Sequence, residues 1–124
     1  MPATYEFDGP LLHLKLAGEY TTDELRNTLE AALADVDCPS KAQFFMDLRK
    51  SSALSKRSSS EIQAMAKFLA GRAARFDGRL AMAVSTELHY GLMRMAEVFS
   101  ESSGLSARVF ATAEEALAWL RREA

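Results

Sequence analysis

The chain holds one cysteine, Cys38, and two histidines, His13 and His89. A single cysteine excludes an internal disulfide framework and a cysteine-based zinc cage. The histidines fall on different segments with no second ligand at metal spacing, so no metal site is expected. Cys38 sits beside Pro39 with no basic neighbour in sequence to lower its pKa and reads as inert. Gly18, Gly71, Gly78, Gly91 and Gly104 are isolated, so no glycine-rich phosphate loop follows a strand, which argues against dinucleotide and P-loop enzymes. Charge of one sign is also missing: 15 basic against 17 acidic residues give a formal net charge of −2, no basis for binding nucleic acid. No apolar run approaches the ~20 residues that span a bilayer. Residues Met1 to Gly9 lack the basic start and apolar run of a signal peptide. The expectation is a cytoplasmic protein without a cofactor.

What is present is ordinary for a globular chain. With 48% hydrophobic and 26% charged residues, the 124 residues suit one domain, 1–124, that folds without staples. Thr4 to Phe7 reads as a short edge strand, and Asp8-Gly9-Pro10 as a turn. In Leu11 to Ala17, Leu12, Leu14 and Leu16 alternate with His13 and Lys15, the pattern of a half-buried strand with both polar residues toward solvent. Thr21 and Glu24 form a capping box for a helix whose stripe is Leu25, Leu29, Leu33 and Val36, stopped by Pro39. Gln43 to Leu48 reads as a strand buried on both faces, followed by a polar loop from Arg49 to Arg57. Ser58 and Glu61 cap a second helix carrying Ile62, Met65, Leu69 and Phe76, with Asp77-Gly78 as its stop. Leu80 to Val84 is a buried strand, and Leu88 to Phe99 a third helix with Leu92, Met95 or Ala96, and Phe99 inward. Gly104 ends that helix. Ala107 to Phe110 is the last strand, and Thr112 caps a final helix packed through Ala116, Leu117 and Leu120. The order β-β-α-β-α-β-α-β-α predicts an α/β domain with a mixed, mostly parallel sheet and an N-terminal β-hairpin.

Three stretches carry a resemblance. They are Leu14-Lys15-Leu16-Ala17-Gly18-Glu19-Tyr20, Phe45-Met46-Asp47-Leu48, and Ser103-Gly104-Leu105 with Val109-Phe110 and Glu114-Glu115-Ala116-Leu117. In this order they resemble the anti-sigma-factor antagonists, or STAS domain (SpoIIAA-like) family, over nearly the whole chain. The resemblance implies a regulator that binds a protein partner, an anti-sigma factor or a kinase-like protein. It also implies a phosphorylated serine in an Asp-Ser-Ser-Gly-Leu joint after the central strand. The matching residues here are Ser58-Ser59-Ser60-Glu61-Ile62, where Ser58 replaces the Asp and Glu61 the Gly. Ser59 takes the phosphoacceptor place, with Ser58 and Ser60 as neighbouring candidates. A related branch of the fold is linked to lipids or small apolar ligands.

Each candidate has a plain alternative. Ser58 and Glu61 need be no more than a cap. A phosphate on the serines would add about −1.5 to −2 charges at a helix end that favours anions. Arg49, Lys50, Lys56 and Arg57 form either a solvated loop or a docking patch for an acidic partner. Asp47 is grouped with them and reads mainly as a carboxylate that organises local backbone. Without a partner group it makes a poor acid–base catalyst, and no nucleophile–base pair is visible, so an enzyme is not expected. Met65, Met82, Met93 and Met95 are core filler or the lining of an apolar pocket. The leading expectation is a protein-binding regulator, and the alternative a binder of a lipid or small apolar ligand.

Overall fold

The structure, a computed structural model, describes residues 2–122. Five strands form one sheet: β1 (Ala3–Asp8), β2 (Leu11–Gly18), β3 (Gln43–Ser51), β4 (Arg79–Ala83) and β5 (Ser106–Phe110), in spatial order β1-β2-β3-β4-β5. β1 pairs antiparallel with β2 across the turn at Gly9, whose φ of 59° is open to glycine without strain. The other neighbours are parallel. Four helices follow β2, β3, β4 and β5: α1 (Thr22–Ala34), α2 (Ser59–Ala70), α3 (Glu87–Glu101) and α4 (Ala113–Arg122). The expected α/β class, element order and opening hairpin are all present.

The topology decides which face each helix covers. Each parallel strand is laid beside the one before it, always in the same direction. Right-handed crossovers then put α1, α2 and α3 on one face of the sheet. The main core forms there, from Leu12, Leu14 and Leu16 of β2, Phe44, Met46 and Leu48 of β3, and Leu25, Leu29 and Leu33 of α1. After β5 the chain crosses over, and α4 covers the other face through Ala116 and Leu120 on Phe45, Ala81 and Ala83. One helix covers only part of that face.

Several local expectations are corrected. Helix α1 ends at Ala34, capped by Asp35, so Pro39 does not stop it and Val36, at 96% exposure, is outside the stripe. The Asp35 carboxylate accepts the Asp37 N–H and the Tyr5 hydroxyl, an earlier stop than the proline. Strand β3 continues to Ser51, so Arg49 and Lys50 are strand residues and the connection shortens to a segment containing a 3-10 turn, Leu54–Lys56. Phe76 belongs to another 3-10 turn, Ala73–Phe76, yet is fully buried against Phe44 with ring centroids 4.8 Å apart. Helix α3 turns Met93 and Ser100 inward, whereas Leu92, Met95 and Phe99 are only partly covered. Its apolar residues run round most of the helix, so periodicity alone did not choose the buried side.

Candidate functional site

The second capping box forms as the sequence requires. Ser58 Oγ accepts the Glu61 N–H at 3.2 Å, and Glu61 Oε1 accepts the Ser58 N–H at 3.0 Å. That cap and the bond from the Ser58 N–H hold Glu61 below the ordinary carboxylate value. Ser59 and Ser60 occupy the first turn of α2 and are exposed. Just before them, Lys56 pairs with Glu19, and Arg57 donates to the Tyr20 carbonyl while its guanidinium lies 5.2 Å from the Tyr20 ring centre. Tyr20 is buried, and burial raises its hydroxyl above the ordinary tyrosine value.

The remaining docking candidates lie elsewhere. Between β2 and β3 the pairing passes from Lys15–Asp47 to Ala17–Lys50. Three steps on β3 match two on β2, which is a bulge of one extra residue. The bulge keeps Asp47 and Lys50 on the face of Lys15 and Ala17, the α4 side. Asp47 accepts the Arg49 N–H at 3.1 Å and a two-pronged bond from its guanidinium, at 2.9 and 2.8 Å. Burial works to raise the Asp47 carboxyl, but the Arg49 bonds outweigh it and hold the group below its ordinary value. The structure therefore groups Lys56, Arg57 and the serines at one place and Asp47, Arg49 and Lys50 at another.

His13 is a second correction. Its side chain is only 19% exposed, and the ring lies 4.8 Å from Phe45. Nδ1 is 3.5 Å from Glu6, and Nε2 is 3.7 Å from Asp47, too far for a hydrogen bond. Burial, the largest influence, pushes the imidazole below its ordinary pKa despite both carboxylates. The alternation along β2 placed His13 on the polar face correctly, but that face adjoins the α4 layer. His89 lies in the first turn of α3, where its N–H bonds to the Thr86 hydroxyl. Among the described residues, no group of three or more His, Cys, Asp or Glu is arranged to hold a metal ion. Cys38 has Arg75 Nη2 3.9 Å from its sulfur, a neighbour 37 residues away in sequence.

A small, mainly apolar cavity lies beside the Lys56–Arg57 segment. It is a cleft between α2, α3 and the sheet, floored by Met46 and Leu48 of β3 and Met82 of β4 and walled by Met65 of α2 and Met93 of α3. Leu25, Leu54, Ile62 and Leu69 complete its apolar wall, and Tyr20, Thr22, Arg57 and Glu61 stand among its polar lining. Its free space is about 60 Å³. Met65, Met82 and Met93 meet there as the sequence allowed, while Met95 does not. Met46, Tyr20 and Leu54 were not foreseen as site residues. In sequence Met46 is one residue of a buried strand, and Leu54 lies in a segment whose polar neighbours read as a loop.

The fold and cleft define a small α/β module with a buried apolar recess near the C-terminal ends of parallel strands. The chain belongs to the SpoIIAA-like family, whose model matches residues 11–121. Among solved structures, an uncharacterised protein with a SpoIIAA-like fold from Shewanella loihica PV-4 is similar at 22% identity. The match covers 95% of this chain and 91% of that one, with a TM-score of 0.61. That likeness speaks for the fold alone. No curated protein matches the chain. Among the described residues, no helix is long and apolar enough to cross a membrane.

Proposed function

We propose that the protein is a non-catalytic binding module that takes a small apolar ligand into the cleft between α2, α3 and the sheet. The observation that carries this reading is the convergence of Met46, Met65, Met82 and Met93, from four different elements, on one recess. Thioether side chains are flexible and polarisable, and they reshape around an irregular guest at little cost. Helix α2 and the sheet form opposite walls of the recess, so repacking of α2 enlarges it. Titration with octanol, followed by NMR of the methionine methyl groups, tests the reading. Shifts are expected at Met46, Met65, Met82 and Met93 and not at Met95, and Ala96→Leu, which fills the lining, should weaken them. Shifts spread evenly over the surface would reject the cleft as a site.

A second reading, docking of a protein partner, is favoured by the exposed hydroxyls of Ser59 and Ser60 beside Lys56 and Arg57. Phosphorylation there would place a dianion at a helix N-terminus next to two cations. On this reading Asp47, Arg49 and Lys50 would be a separate contact on the α4 side. A pull-down with wild type and Ser59→Glu tests it: a kinase-like or anti-sigma-like partner held by the first and lost by the second is expected. A partner profile unchanged by the substitution would reject the switch.

A further inference from the structure

We propose that the cleft is specific for a monoanionic amphiphile, a medium-chain aliphatic carboxylate, whose head is held by Arg57 while its tail lies among the methionines. The proposal rests on the reading of the cleft as a ligand site and adds the chemistry of the head group.

The recess is apolar except at Tyr20, Thr22, Arg57, Glu61 and Ser100, and Arg57 is the only cation in its lining. Among the described residues no carboxylate oxygen comes within 4.0 Å of Arg57, whereas the adjacent Lys56 is already paired with Glu19. Arg57 is half-buried, and its bond to the Tyr20 carbonyl together with the Tyr20 ring fixes the guanidinium in place. A guanidinium has five N–H donors in a planar fork, and one tied donor leaves enough for a two-pronged grip on a carboxylate. An oriented, partly desolvated cation in no direct ion pair, with Glu61 acting on it only at longer range, is matched at the edge of an apolar recess by a guest that is anionic at one end and aliphatic at the other.

Glu61 narrows the choice. It lines the same recess, and the capping box fixes its carboxylate at the start of α2. A phosphate dianion would face that negative charge, whereas a carboxylate brings only the single charge that Arg57 can neutralise. Tail length follows from space. About 60 Å³ accepts roughly four to six water-sized groups. A six- to eight-carbon chain therefore enters only as α2 and α3 move apart, and a long acyl chain requires a much wider opening.

The test compares octanoate with octanol at neutral pH by isothermal titration calorimetry, on the wild type and on Arg57→Gln. The wild type should bind octanoate about tenfold or more tightly than octanol, the scale of a charge-assisted hydrogen-bond pair. Arg57→Gln should lose that preference, and a near-UV circular dichroism spectrum and urea midpoint matching the wild type show that the cleft is still folded. Equal affinities in the wild type, or a preference for the acid that survives in Arg57→Gln, would overturn the head-group assignment and leave the cleft reading intact. Absence of binding by either compound would overturn both. Arg57→Lys, which keeps the charge without the fork, should fall between the two proteins.

Discussion

At the scale of single residues, His13 and Asp47 show how a strand's polar face becomes a charged network once its neighbours arrive. Glu6 and Lys15 are 2.8 Å apart, and His13 lies between Glu6 and Asp47. Burial holds the native imidazole below its ordinary value. In the unfolded chain it takes up a proton near pH 6.5. The unfolded state therefore binds more protons between the two values, and stability falls as the pH drops through that window. Urea unfolding of the wild type from about pH 7.5 to pH 5 should show that loss, and His13→Gln should flatten it. Asp47 raises the His13 pKa, so Asp47→Asn should move the imidazole lower still, as read from the NMR titration of its ring protons.

At the scale of elements, caps and buried aromatics decide where segments start and what they are worth. Ser58 makes the cap of α2, while Ser59 and Ser60 stand exposed in its first turn. Ser58→Ala should destabilise the protein by about 1 kcal/mol, and Ser59→Ala and Ser60→Ala by far less, in matched urea titrations. Near-equal losses at all three would mean that the exposed serines hold structure as well. Phe76 lies outside every α-helix yet fills the core beneath the sheet beside Phe44. Phe76→Ala should cost about 3–5 kcal/mol, and Val36→Ser, at an exposed site, should be nearly neutral.

At the scale of the whole molecule, the sheet has two outer strands, β1 and β5. The outward N–H of Val109 on β5 is occupied by Glu97 Oε2 at 2.7 Å, and Arg94 lies 3.3 Å from the other carboxylate oxygen. A side chain on α3 thus takes the place that a neighbouring strand's carbonyl would fill, a means of blunting an open edge. Glu97→Ala should increase concentration-dependent association in light scattering, and unchanged scattering would show that the edge is protected by other means. The same architecture creates the cleft. Three helices crowd one face, and α2 packs against α3 as a neighbour, with the methionine-lined space between them and the sheet.

Sequence alone determined the order of elements, the opening hairpin, the Thr21–Glu24 and Ser58–Glu61 capping boxes and the alternation of β2. Each depends on residues within a few positions of one another, where backbone geometry and hydrogen-bonding capacity act locally. The resemblance on short motifs also reached the family. Tertiary structure decided the rest. The bulge in β3 brought Lys50 to the face of Asp47, packing chose Met93 over Met95 as the inward methionine, and burial turned His13 from a solvent residue into a perturbed one. The cleft is assembled from β3, β4, α2 and α3 with the start of α1 and the Leu54–Lys56 turn, so no local pattern contains it. Its shape follows from the space left when helices of fixed diameter are laid by right-handed crossovers on a twisted sheet.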